Sequence, residues 1–243
     1  MRKLLFAALL LPLTALAEDA QAILGKVDDA ISRFTDQEIH FEVQNLKPGA
    51  KNPQSMGFFT KVKGGKSYTE FTAPGDLKGT RVLLLDATKM WVYLPDFGKV
   101  RRVASHTTEQ GFMGTTLTQQ DMGVLAYAPI YAAKLNTEDD DTWTLDLTAK
   151  EGAEVMFKTL RMVIEKKRQL PLKTQFMNAE GEVIRTETRG EYICNGDTCT
   201  PGVMRMTDHA RGDAWTEMRA VDVKLNTGIS DDVFTPRTLQ LGL

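Results

Sequence analysis

Past residue 38 the chain is a succession of short β-forming runs broken by turns, and that spacing limits the folds open to it. Ile39, Phe41 and Val43 alternate with His40, Glu42 and Gln44, and Trp143, Leu145 and Leu147 with Thr144, Asp146 and Thr148. That is the period-two signature of a half-buried strand. Further runs cover 55–62, 66–72, 81–86, 90–94, 99–104, 155–166, 172–178, 182–193, 203–210 and 214–225. Gly64-Gly65, Asp96 to Gly98, Asn178 to Gly181 and Gly212-Asp213 mark turns between them. Parallel pairs need long crossovers, so about a dozen such runs predict an antiparallel meander, and a sheet that wide curls or closes. In the last run the apolar phase slips between Met218 and Val221, as a β-bulge requires.

Helical material is scarce. Ile23, Leu24, Val27, Ile31 and Phe34 fall on one face of a helix over 22–34, with Asp19 as its cap. Thr118 with Asp121 three residues on has the form of a capping box opening a short helix, and a further turn is expected near Asp231. Ahead of these, residues 1–17 read as a cleaved export signal: Arg2 and Lys3, a short apolar run, then an Ala-Leu-Ala end. On that reading the mature chain is one domain over residues 18–243, exported and soluble, with no cysteine at its start to carry a lipid anchor. Losing the two cations takes the formal charge from −2 to −4, which argues against nucleic acid as a partner. Cys194 and Cys199 enclose Asn-Gly-Asp-Thr, a tight-turn sequence, and in an exported chain the pair predicts a disulfide across a hairpin. No metal site is expected, since His209 is the only histidine in the C-terminal half.

The hairpin over 82–94 poses the main problem. Val82-Leu83-Leu84-Leu85 and Met90-Trp91-Val92-Tyr93-Leu94 are apolar on both faces, so both should be covered. One amphipathic helix, the short helix after Thr118 and a turn near Asp231 cannot blanket a sheet this wide. Either the sheet closes and fills its own lumen, or an apolar concavity is left for a ligand. The lining expected for such a concavity is Phe41, Val43, Phe58, Phe71, Leu83, Leu85, Trp91, Tyr93, Trp143, Leu145, Met204 and Met206. Ten methionines remain after residue 17, and their flexible thioethers suit a surface that repacks around variable apolar cargo. Gly111 and Gly114 bracket Phe112 and Met113, which are expected to point into the concavity as a lid or as a fixed plug, with Met122 and Leu125 on the short helix behind them.

The order of FTAPGDLKGTRVLLLD, KMWVYLPDFGKVRRV, GFMGTTLTQQDM and a closing LNTGISDDVFTP resembles the outer-membrane lipoprotein-sorting proteins, the LolA-like superfamily, over nearly the whole mature chain. The resemblance implies a mainly β fold, an incomplete half-barrel of antiparallel strands whose concave apolar face is lidded by short helices and holds acyl chains. It also implies a monomeric periplasmic carrier that takes acylated lipoprotein from an inner-membrane exporter to an outer-membrane receptor, with transient contact to the membrane surface. The strict carriers have an Arg-Pro step at the cavity mouth; here the similar place reads KVKGGK, Lys61 to Lys66, so a free lipid is an equal candidate for cargo. An accessory or sensor protein of a lipid-exporting pump or envelope-stress system is the alternative. Arg81, Lys99, Arg101 and Arg102 are candidates for headgroup or partner contact. Neither a cofactor nor an enzymatic activity is expected, as no nucleophile elbow, zinc-binding helix, P-loop or dinucleotide motif occurs.

Overall fold

The computed structural model describes residues 19–86, 89–103, 114–118, 121 and 126–243. Helix α1 (Ala20–Ile31) opens the fold, and the Asp19 side chain accepts from the Gln21 N–H as its N-cap. Strands β1 (Asp36–Leu46), β2 (Gln54–Lys63), β3 (Lys66–Ala73), β4 (Arg81–Asp86), β5 (Lys89–Leu94) and β6 (Lys99–Val103) follow as consecutive hairpins. Then come β7 (Tyr131–Glu138), β8 (Thr142–Ala149), β9 (Thr159–Glu165), β10 (Leu170–Met177) and β11 (Val183–Gly190). The small hairpin β12 (Ile193–Asn195) and β13 (Thr198–Thr200) leads to β14 (Val203–Asp208) and β15 (Ala214–Leu225), and helix α2 (Pro236–Leu241) closes the chain.

Thirteen strands make one antiparallel sheet in the order β6-β5-β4-β3-β2-β1-β15-β14-β11-β10-β9-β8-β7. Two meanders thus run outward in opposite directions, and β15, pairing with β1, joins them at the centre. The sheet does not return on itself: β6 and β7 are its two ends. The register between β1 and β15 slips at His40/Phe41, leaving Val221 as the extra residue, close to where the sequence loses phase. Two regular segments lie outside the expected runs: β7, whose Ala132-Ala133-Lys134 has little β-forming character, and helix α2. Conversely, residues 155–158 do not extend β9.

Helix α1 fills half of the concave side. Ile23, Leu24 and Val27 are essentially unexposed and pack with Trp143, Leu145, Leu147, Leu160, Met162 and Ile164 of β8 and β9. Two polar residues of the helix fix its seat. Gln21 accepts from the Ala133 N–H at 2.9 Å and donates to Tyr131 O at 3.3 Å, occupying the edge of β7. Asp28 accepts from the Tyr127 and Ala128 N–H groups, both at 2.7 Å. Burial raises the Asp28 pKa, with those two hydrogen bonds opposing the rise.

The doubly apolar hairpin β4–β5 is indeed covered on both faces. On the concave side Val82, Leu84, Met90 and Val92 cluster with Phe71. On the convex side Leu83 is buried with Tyr68, Ile229, Phe234 and Leu239, and Leu85, Trp91 and Tyr93 pack against that group. The C-terminal segment is held there by Asp36, which accepts from the N–H groups of Thr227 at 2.8 Å and Gly228 at 3.0 Å. Burial opposes the Asp36 charge, but these donors outweigh it and lower its pKa. Leu83, Leu85, Trp91 and Tyr93 are therefore not cavity residues; their apolar area is spent on the chain's own C-terminal segment.

Candidate functional site

Between α1 and the β1–β3 half of the sheet lies a cavity of about 270 Å³. One wall is set by period-two alternation: Ile39 and Phe41 from β1, Met56, Phe58, Thr60 and Val62 from β2, Ser67, Thr69 and Phe71 from β3. The register pairs Phe41 with Phe58 and Phe58 with Phe71, giving a three-ring row with centroids 5.3 and 5.5 Å apart. Met204 and Met218, directly paired across β14 and β15, extend the apolar lining across the middle of the sheet. The opposite side is made by Ile31 and Phe34 at the end of α1, by Thr115 and Leu117, by Leu170, and by Tyr192, Cys199, Thr200 and Pro201.

The last group belongs to the β12–β13 hairpin, whose Cys194 and Cys199 form the expected disulfide. At its base the Gly202 N–H donates to Gly190 O at 3.1 Å, and a Cβ at Gly202 would collide with the Glu191 carbonyl, so only glycine fits.

Of the twelve expected lining residues the cavity gathers four: Phe41, Phe58, Phe71 and Met204. Trp143 and Leu145 lie under α1 in the filled half, and Val43 is buried in the same core. Met206 borders a separate cavity of about 50 Å³ with Tyr127, Tyr131 and Phe157. Val43, Trp143, Leu145 and Met206 are corrected accordingly. A third concavity, of about 550 Å³, is bordered by Met156, Phe157, Met177 and Ile184 together with Lys158, Arg185, Asp208 and Arg211. Gly111, Phe112, Met113, Met122 and Leu125 lie outside the described residues. Their neighbours are tied down: Gly114 O accepts from Asn45 Nδ2 at 3.0 Å, and Thr116 N–H donates to Thr216 Oγ1 at 2.9 Å. The capping box is formed reciprocally, Thr118 N–H to Asp121 Oδ2 at 2.7 Å and Asp121 N–H to Thr118 Oγ1 at 3.2 Å.

A charged row inside the fold has no counterpart among the sequence expectations. Arg185, Glu187 and Arg189 alternate on β11 and face the concave side. Arg185 pairs with the capping-box carboxylate of Asp121 at 2.6 Å, donates to Thr116 O at 2.8 Å, and lies near the rings of Phe157 and Phe176. Arg189 pairs with Glu187 at 2.9 Å, and Glu187, Arg189, Asp121 and Gln37 are the charged or amide groups bordering the cavity. Burial disfavours the Arg189 cation, yet the adjacent acids, Glu187 foremost, keep its pKa above the ordinary value. Burial also raises the pKa of Tyr192 and pushes that of Tyr131 up to about 12. Every residue on β11 from Arg185 to Arg189 is polar, so alternation alone does not say which set faces inward.

Of the candidate contact cations, Arg81 is already engaged. It lies 3.4 Å from Glu70, donates to Leu239 O and Gln240 O, and stacks on Tyr93. Lys99, Arg101 and Arg102 are exposed on β6. No helix among the described residues is long and apolar enough to cross a membrane.

A family model described as "Uncharacterized protein" matches residues 63–241. No curated protein matches the chain. Among solved structures, a putative outer membrane lipoprotein-sorting protein domain from Vibrio parahaemolyticus superposes with a TM-score of 0.78 at 21% identity, covering 91% of this chain and 98% of its own. A DUF1329 family protein from Desulfovibrio piger gives 0.78 at 20% identity over 92% of this chain and all of its own. A LolA superfamily protein from Nitrosomonas europaea gives 0.70 at 20% identity over 90% and 98%.

Proposed function

The chain belongs to the family whose model spans residues 63–241, and its fold is that of the LolA superfamily; on that premise we propose that it is a non-catalytic carrier of acyl chains. The observation that carries this reading is the cavity itself. A row of three aromatic rings and two paired methionines faces a space that α1 leaves unfilled. Burying a hydrocarbon tail there gains about 0.8 kcal/mol per methylene. Membrane binding through a single acyl chain is only marginal, so a lining of this kind competes with a bilayer for one tail at a time.

In the full reading, residues 1–17 direct export and are removed, residues 18–243 form one periplasmic domain, and the cargo is a lipoprotein or another acylated lipid passed from an inner-membrane donor to an outer-membrane acceptor. Phe41, Phe58, Phe71 and Met204 hold the tail, with Met56 and Met218 beside them. The Phe112-Met113 segment, which joins the anchored Gly114, gates it. Lys99, Arg101 and Arg102 supply the contact with anionic surfaces. The similarity to a protein described as lipoprotein-sorting supports this reading through the fold alone.

Native mass spectrometry of the chain, purified from a periplasmic extract without detergent, tests it. The expected result is an adduct with the mass of an acylated molecule. A chain that emerges bare, and takes up no palmitoyl ligand afterwards, contradicts the reading.

A further inference from the structure

Arg189 carries a donor that no described residue accepts. Its Nη2 makes both hydrogen bonds to Glu187, at 2.9 and 3.1 Å, while Nε is buried without an acceptor. Buried N–H groups are nearly always paired, and an orphan costs about 1–3 kcal/mol. Arg189 borders a cavity, so a molecule bound there can complete the pairing once the guanidinium turns toward it. Arg189 stands between the cavity of about 270 Å³ and that of about 50 Å³, since it borders both.

The surrounding charge decides what kind of acceptor fits. Arg189 is balanced by Glu187, and Arg185 by Asp121, so the row carries no surplus cation for an anion to neutralise. A free carboxylate brought to Nε would stand beside Glu187, and like charges in a poorly solvated site repel strongly. An uncharged carbonyl accepts the same hydrogen bond without that penalty, and a donor on a charged group makes it a strong one.

We propose that Arg189 Nε–H anchors the ester or amide carbonyl at the head of a bound acyl chain, so that the cavity selects acyl esters and amides over free fatty acids. The proposal rests on the reading that the cavity holds acyl chains. By register Arg189 lies in the row of Met204, Met218 and Val43, which leaves the rows of Phe41 and Ile39 for the tail.

Displacement of an environment-sensitive fluorescent probe from the full mature chain tests this with four ligands of one chain length. These are 1-palmitoylglycerol, N-palmitoylethanolamine, 1-O-hexadecylglycerol and palmitate. The ether differs from the ester chiefly in lacking the carbonyl. The expected result is that the ester, the amide or both bind about tenfold tighter than the ether and than palmitate. A preference confined to the ester points to glycerolipids, and one confined to the amide to N-acylated cargo. Replacing Arg189→Met together with Glu187→Met removes the pair without leaving a lone charge, and should bring the ester-to-ether ratio near one. If wild-type protein binds all four equally, or binds palmitate most tightly, the anchor is wrong while the carrier reading stands. If none of the four binds, both fall. The wild-type comparison needs no variant, so the outcome does not depend on the double substitution folding.

Discussion

The two wings of the sheet are built from the same alternating strands but end differently. Over β7–β10 the concave face meets α1, and Leu24, Leu145, Leu147 and Met162 have no exposure at all. Over β1–β3 the same kind of face borders a cavity, and Phe41 and Phe58 are only partly buried. One 12-residue helix is long enough for one wing and no more. The difference teaches that a hollow here is a matter of covering length rather than of strand sequence. Leftover apolar area becomes a binding surface when no described segment covers it. The hairpin β4–β5 supplies the counter-example, because its convex face is equally apolar yet is sealed by Ile229, Phe234 and Leu239.

That contrast can be broken by substitution. The largest effect is expected at the seam, where Asp121→Ala strands Arg185 with 6% of its side chain exposed; a loss of about 3–5 kcal/mol should appear in denaturant unfolding. Next, Leu24→Ala in the filled wing should cost about 2–5 kcal/mol, as buried leucine truncations do. Phe58→Ala in the hollow wing should cost less than half of that in unfolding free energy and instead weaken the binding of palmitoyl ligands. Equal destabilisation by the two truncations would mean that the β1–β3 face is ordinary core.

The smallest effect concerns the convex side behind the hollow wing. Glu38 is held by Lys61 at 2.8 Å, and by Lys224 and His40 at 3.1 and 3.2 Å. Lys61 foremost, against burial, lowers its pKa to about 2. A depressed carboxylate contributes stability that is full above the unfolded value of about 4.3 and fades as pH falls toward 2. Between pH 6 and pH 2.5 the wild-type chain should therefore lose about 1–2 kcal/mol more than Glu38→Gln does, measured by urea unfolding at each pH.

The parts legible in the sequence are those where one face is wet and the other dry. Ile39 to Val43 and Trp143 to Leu147 show their inward side because their neighbours are polar, and the sheet, the main helix, the capping box and the disulfide all follow from such local signals. Where both faces are alike the phase disappears. From Val82 to Leu85 and from Met90 to Leu94 every position is apolar, so Leu83, Leu85, Trp91 and Tyr93 are indistinguishable from their concave neighbours until the C-terminal segment is seen to cover them. On β11 every position from Arg185 to Arg189 is polar, which hides the inward side of Glu187 and Arg189. Trp143 and Leu145 were correctly turned inward but lie on the wing that α1 fills, a choice between wings that no strand records.

Methionine methyl groups report on both wings at once. In a chain with 13C-methyl methionine and bound 1-palmitoylglycerol, intermolecular nuclear Overhauser contacts from the acyl chain are expected at Met56, Met204 and Met218, and not at Met162 under α1 or at Met156 and Met177 in the third concavity. Contacts confined to Met156 and Met177, or an acyl chain that touches no methionine of the β1–β3 wing or the central strands, would contradict the account.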